Sequence, residues 1–262
     1  MHYEHVLEHW PEGLWFEVLS DNYLHTRGRP LEILDRIAER YPVAMHGVSL
    51  NIGSTDPLDL DYVRALKALK ERIGAHWVSD HLCFTGVAGR NTHDLLPLPL
   101  TEEALRHTAE RVRVVSDVLG ATLVLENPST YLEFAGHTLA EWDFLAALAE
   151  EADAGILLDV NNILVSAKNH GFEPERYLRA LPMKRVVQIH VAGHTDYGTH
   201  AIDTHIGPVP DAVWQLYQRA RELGADASVL LEWDAEIPPF EVVHQDARKA
   251  EQRLALPDAS GF

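Results

Sequence analysis

Short apolar runs recur along the chain, and each stops at or beside a histidine, aspartate or glutamate. They are Trp15 to Val18 around Glu17, Val43 to His46, Trp77 to His81, Thr122 to Glu126, Gly155 to Asp159, Val186 to His190 and Val229 to Glu232. Between them lie helical patterns, such as Leu31, Leu34, Ile37 and Ala38, or Val63, Leu66, Leu69 and Ile73. Apolar residues three and four apart form one buried helix face, whereas a short continuous apolar run marks a strand covered on both sides. The alternation predicts repeated βα units around a parallel sheet, an α/β fold. In a parallel barrel the C-terminal strand ends meet at one mouth, so polar residues far apart in sequence converge there.

Local signals place the connections. Pro30 and the pair Asp56-Pro57 read as helix starts, Thr101 as an N-cap, and Gly120 and Gly224 as helix stops. Thr138 and Glu141 have capping-box spacing. The stretch from Cys83 to Pro99, rich in Gly and Pro and carrying His93 and Asp94, reads as a loop over the site.

At 262 residues the chain is expected to form a single domain over 1–262, with the segment from about 245 as a disordered or helical tail. Acidic residues outnumber basic ones 40 to 22, for a net charge of −18, which repels nucleic-acid backbones and anionic lipid. The one cysteine, Cys83, excludes an intrachain disulfide framework and any Cys-rich zinc site, and reads as a buried structural thiol. No apolar stretch approaches the ~20 residues of a membrane span, and no signal core precedes residue 10; the expectation is a soluble, cytoplasmic protein.

The densest group of metal-type side chains lies between Val186 and Pro210: His190, His194, Asp196, His200, Asp203 and His205. Asp203 and His205, two apart, share a side of an extended backbone. One strand-end charge alone would face water, but six successive strands from His46 to Glu232 ending in His, Asp or Glu make close-packed carboxylates that require cations. Mixed histidine and carboxylate donors without thiolate suit Fe, Mn or Zn, in a site of more than one ion.

The segments MHGVSLNIGS, VSDHL, THDLLPLP, LENPSTYL, LLDVNNILVSAKNHGF, IHVAGH and DTHIGPVP resemble those of the multinuclear non-haem iron-dependent oxidases, the methanobactin-oxidase-like family, over nearly the whole chain. The resemblance implies a xylose-isomerase-like TIM (β/α)8 barrel holding two or three irons, with O2 as cosubstrate. Carried over by position, the metal shell is His46, His81, Glu126, Asp159, Asn162, His190, Asp203, His205 and Glu232, with Asp80, His93 and Asn161 as further members. Asp203, His205 and His93 are the implied catalytic groups; Asn22, His93 and His194 are implied to touch substrate. The implied reaction oxidises cysteine side chains of a ribosomally made precursor peptide, a copper-binding peptide being one such product, with the help of a small partner protein that recognises the leader.

Two features depart from the family pattern. Members begin with a Gly-rich strand ahead of the segment resembling His2-Tyr3, so seven strands are visible from Trp15 onward and the first strand is expected to be missing or truncated. Asp21 stands where the family more often has Glu. Two other readings stand beside this one. A metal-dependent hydrolase or isomerase, of the apurinic-endonuclease or sugar-isomerase type, uses the same barrel, though the acidic charge opposes binding to DNA. A non-catalytic metal- or peptide-binding barrel is the other. Trp233 and Asp234, after Glu232, are read as shaping the pocket.

Overall fold

The computed structural model describes residues 2–254. Seven parallel strands form one curved sheet: β1 (Phe16–Leu19), β2 (Val43–Gly47), β3 (Val78–His81), β4 (Leu123–Glu126), β5 (Gly155–Asp159), β6 (Val186–Ala192) and β7 (Ser228–Glu232), paired in that order. Among the described residues ten α-helices follow or flank them: α1 (Tyr3–His9), α2 (Arg29–Ala38), α3 (Leu60–Ile73), α4 (Glu102–Leu119), α5 (Glu141–Glu151), α6 (Val160–His170), α7 (Pro174–Ala180), α8 (Asp211–Glu222), α9 (Phe240–Ala247) and α10 (Lys249–Leu254). No ladder among the described residues joins β1 to β7, so the barrel is nearly closed, with one seam. The expected tail is helical as far as Leu254, and residues 255–262 lie outside the described residues.

Strand alternation divides the buried residues into two layers. Met45, Val78, Leu123, Leu125, Ile156, Leu158, Ile189 and Val191 face the helices and join one hydrophobic core with Val63, Leu66, Val112, Leu148 and Trp214. The alternate positions Ala44, His46, Ser79, His81, Val124, Glu126, Leu157, Asp159, Gln188 and His190 face the barrel axis. Period two therefore turns Asp80 away from His81: its carboxylate accepts backbone N–H groups of Leu50 (3.2 Å) and His81 (2.8 Å). Burial lifts the pKa of Asp80 to about 7.

The caps show where local chemistry prevailed. Thr101 accepts from the Ala104 N–H, and Gly120 ends α4 in the left-handed conformation, as expected. The helix after Asp56-Pro57 instead starts at Leu60, because Asp59 accepts from both Asp61 and Tyr62 N–H, an N-cap worth about 1 kcal/mol. The Thr138-Glu141 capping box does not form. The helix begins at Glu141 itself, Thr138 is tied to Leu100 O, and the Glu141 carboxylate accepts from Tyr177 Oη at 2.7 Å.

The Cys83 to Pro99 stretch is a β-hairpin, Phe84–Val87 against Arg90–Leu96, rather than an irregular loop. Asn51, Ser54 and Asp56 hold its backbone, while buried Arg111 on α4 clamps the carbonyls of Asn51, Ile52 and Asp56. Cys83 is fully buried, and burial pushes its thiol pKa well up. Asp21 bonds Val48 N and Tyr62 Oη, tying the end of β1 to β2 and α3. No described helix is long and apolar enough to cross a membrane.

Candidate metal centre

Register brings the strand-end residues into a row. His81 lies beside Glu126 on β3 and β4, and Asp159 beside His190 on β5 and β6. The result is three overlapping triads of donor atoms: His46, His81 and Glu126; Glu126, Asp159 and His190; Asp159, His205 and Glu232. Glu126 and Asp159 each belong to two triads, so the three form one continuous centre.

The short contacts inside it are not ordinary hydrogen bonds. Glu126 Oε2 is 3.0 Å from His46 Nε2 and 3.3 Å from His81 Nε2, and His205 Nε2 is 2.8 Å from Asp203 Oδ1. Yet Glu126 Oε2, Asp159 Oδ2, Asn162 Oδ1, His190 Nδ1 and His205 Nε2 are all buried without an aligned partner. A buried polar atom left unpaired costs about 1–3 kcal/mol, so a cluster of them in one place needs a shared partner. Donors about 2.1 Å from one ion and at right angles lie about 3 Å apart, the spacing seen here. The nitrogen and carboxylate donor set, without thiolate, fits iron, manganese or zinc.

The outer contacts hold the ligand atoms in place. Ser79 Oγ donates to Met45 O and lies 2.9 Å from His46 Nδ1, so that Nδ1–H donates to Ser79 and the Nε2 lone pair faces the centre. His81 Nδ1–H donates to Gly47 O, turning Nε2 inward in the same way. Asp159 divides its oxygens: Oδ1 caps α6 by accepting from Asn162 N, and Oδ2 remains for the centre. Asn162 Nδ2 donates to Glu126 Oε1 and Asn127 O, leaving its Oδ1 as a further donor atom.

Crowded charges shift proton affinities. Burial disfavours charge on His46, but Glu126 and Glu17 outweigh it and raise its pKa to about 9. Burial also opposes ionisation of Glu126, and the neighbouring His81, His46 and His190 overcome it, lowering its pKa to about 2. Asp159 goes the other way: burial, then Glu126 and Asp203, push it well up. In the metal-free protein the centre thus holds protons where cations would neutralise the carboxylates.

At the mouth, Asp203 and His205 arrive from the loop after β6. His205 has a left-handed backbone (φ 48°), uncommon outside glycine, and its Nδ1–H donates to Asp234 Oδ2 at 3.1 Å. Gly193 permits this placement, since a Cβ there would lie 2.4 Å from Ile206 O. Asn161 uses both ends of its amide away from the triads: Nδ2 donates to Asp203 Oδ1 (2.8 Å) and Oδ1 accepts from His194 Nδ1 (2.7 Å). Asn22 is exposed and lines a cavity of about 1270 Å³ that opens over the centre and runs along the β1–β7 seam. His93 is exposed on the hairpin with φ 55°, outside the triads and the cavity lining. Asp196 pairs with Lys168 and His200 stacks on Tyr197, both away from the triads.

The inward face also holds residues that sequence reasoning left out of the shell. Glu17 lies 3.2 Å from His190 Nε2, and Gln188 bridges Glu17 and Trp77. Ser79 and Gln188 stand two positions before His81 and His190, so strand periodicity already put them on the axis, one layer below the ligands.

A model of the family described as "RiPP precursor modification enzyme MbnB/TglH/ChrH" matches residues 1–255. A UPF0276 protein of Anaeromyxobacter sp. (strain Fw109-5) is 49% identical over 250 residues, covering 94% of this chain and 88% of that protein. One from Vibrio vulnificus (strain YJ016) is 39% identical over 257 residues, covering 97% and 88%. Among solved structures, endonuclease IV from Thermus thermophilus superimposes with a TM-score of 0.62 at 18% identity, over 96% of this chain and 93% of that one. A D-psicose 3-epimerase gives 0.61 at 13%, over 97% and 92%. At such identity these two show the fold, the xylose-isomerase-like TIM barrel.

Proposed function

Because the chain belongs to the MbnB/TglH/ChrH family of RiPP precursor modification enzymes, we propose that it oxidises cysteine side chains of a ribosomally made precursor peptide at a multinuclear iron centre, with O2 as cosubstrate. The observation that carries this reading is the run of three triads sharing Glu126 and Asp159, with its unpartnered buried donor atoms. His46, His81, Glu126, Asp159, Asn162, His190, His205 and Glu232 would hold two or three ions. Bound iron would supply one-electron chemistry with O2 and an affinity for thiolate sulfur.

The protein's own groups prepare that chemistry. Ser79 and Gly47 O keep the Nε2 lone pairs of His46 and His81 turned inward. The cavity over the centre admits an extended peptide, with Asn22 on its wall. Asp203 Oδ1, 2.8 Å from His205 Nε2 at the mouth, is placed to take the proton released when a substrate thiol ionises, while His205 Nε2 stays free to ligate. Asn161 fixes the Asp203 carboxylate, and His194 stands behind Asn161. A small partner protein that holds the peptide leader completes the proposed system.

The test is co-expression with a Cys-bearing precursor and its small partner, followed by mass spectrometry of the peptide and metal analysis of anaerobically purified protein. Oxidative mass change at cysteine, dependent on iron and O2, is expected. Protein that carries only zinc and leaves the peptide unchanged after iron loading would overturn the reading.

A further inference from the structure

Glu17 belongs to none of the three triads, yet its carboxylate is deeply buried, its side chain only 7% exposed, on the inward face of β1. It ends a chain of contacts that crosses the barrel. Trp77 Nε1–H donates to Gln188 Oε1 at 2.6 Å, which fixes the orientation of that amide, because the indole can only donate. The Gln188 NH2 group must then face Glu17 Oε2, at 2.6 Å, and His190 Nε2, also at 2.6 Å. Glu17 Oε1 lies 3.2 Å from the same His190 nitrogen.

Two arrangements compete at His190. If Nε2 accepts from Gln188, the ring proton sits on Nδ1, and Nδ1 has no lone pair for a metal. If Nε2–H instead donates to Glu17, the Nδ1 lone pair points towards Glu126, Asp159 and Glu232, which lie 3.9, 3.9 and 3.2 Å away. Resting on the reading of this centre as a metal site, we propose that Glu17 is the positioning residue that selects the ring tautomer of His190, and so decides whether the middle triad binds metal. A carboxylate can only accept, and a charged acceptor beside a ring nitrogen draws the proton to that nitrogen. Trp77 fixes the Gln188 amide, whose NH2 group competes for the same nitrogen at 2.6 Å, so Glu17 Oε1 at 3.2 Å is the one acceptor in the chain that can hold the proton on Nε2.

The decisive variant is Glu17→Gln. The oxygen of the new amide must face the Gln188 NH2 group, so its own NH2 faces His190 Nε2 and forces that nitrogen to accept. The double variant E17Q/Q188E reverses the chain. The carboxylate introduced at position 188 accepts from Trp77 and from His190 Nε2–H, restoring the original tautomer without restoring Glu17.

Zinc is the probe, titrated against a competing chelator, with His190 ring nitrogen shifts read by 15N NMR of the zinc-loaded protein. Glu17→Gln is expected to weaken zinc binding in part of the centre by about 10–100-fold, the usual effect of losing such a partner, and E17Q/Q188E to recover most of it. Two results would overturn the proposal: parental affinity in E17Q with His190 still protonated on Nε2, or no recovery in the double variant. A parental protein that oxidises no peptide but shows this contrast would overturn the reading of the reaction and leave the role of Glu17 standing.

Discussion

Glu126 Oε2 and His46 Nε2 are 3.0 Å apart, and the buried oxygen nevertheless has no aligned hydrogen-bond partner. The pair has the spacing of two ligands of one ion. Because Glu126 also faces His190, Glu126→Gln should reduce two adjacent positions at once, and metal analysis should find more than one ion lost per chain. Stripping metal from the parental protein should lower its thermal midpoint, since a ligand at 100 times its dissociation constant stabilises by about 2.7 kcal/mol. An unchanged midpoint would argue against a cation between these residues.

Asn161 separates ligation from positioning. Both ends of its amide are engaged by Asp203 and His194, so Asn161→Ala should retain the parental metal content while peptide turnover falls by about tenfold or more, through the loosened Asp203 carboxylate. Metal loss as large as that in His190→Ala would instead make Asn161 a ligand.

Gly193→Ala tests how the mouth is built. A Cβ at this position meets the backbone oxygens of Ile206 and Gly207 at 2.4 and 2.8 Å, and backbone cannot rotate aside as a side chain can. The loop carrying Asp203 and His205 must move, with a stability loss of about 1–3 kcal/mol in chemical denaturation and weakened binding at the outer triad. Parental stability with parental metal content would contradict the contact.

Glu141 gives a pH signature outside the centre. Burial raises its pKa to about 7, against 4.5 for the free group, so the folded chain binds the proton more tightly than the unfolded one. Stability is therefore favoured below about pH 4.5 and is lost as pH rises from there to about 7. Glu141→Gln cannot ionise and should remove that component, gaining on the order of 1–3 kcal/mol over the parent above pH 7. Equal pH dependence of the two proteins in denaturant melts would sink the assignment.

Much of this was legible in the chain. Apolar runs such as Leu123-Val124-Leu125 and stripes such as Val63, Leu66, Leu69 and Ile73 depend on periodicity, a local property, and they foretold strands, helices and strand-end polar groups. Helix starts were less legible, because Asp56, Asp59 and Thr138 carry similar local preferences and only the fold decides which carbonyl or N–H each one meets.

Site membership divided along the same line. Which face of a strand a residue occupies follows from its position, so Ser79, Gln188, His81 and His190 could be assigned to the barrel axis, and Asp80 away from it, by counting alone. Whether an inward residue ligates, or holds a ligand, depends on donors and acceptors brought by other strands. Sequence brought Asn161 and Asn162 forward together, and tertiary structure gave one to Asp203 and His194 and set the NH2 group of the other on Glu126, leaving its oxygen unpartnered. Glu17 and His190, 173 positions apart in sequence, share a proton only because barrel curvature sets β1 and β6 facing the same axis. Local chemistry determined the kinds of side chain at the strand ends; closure of the sheet decided which atoms face one another.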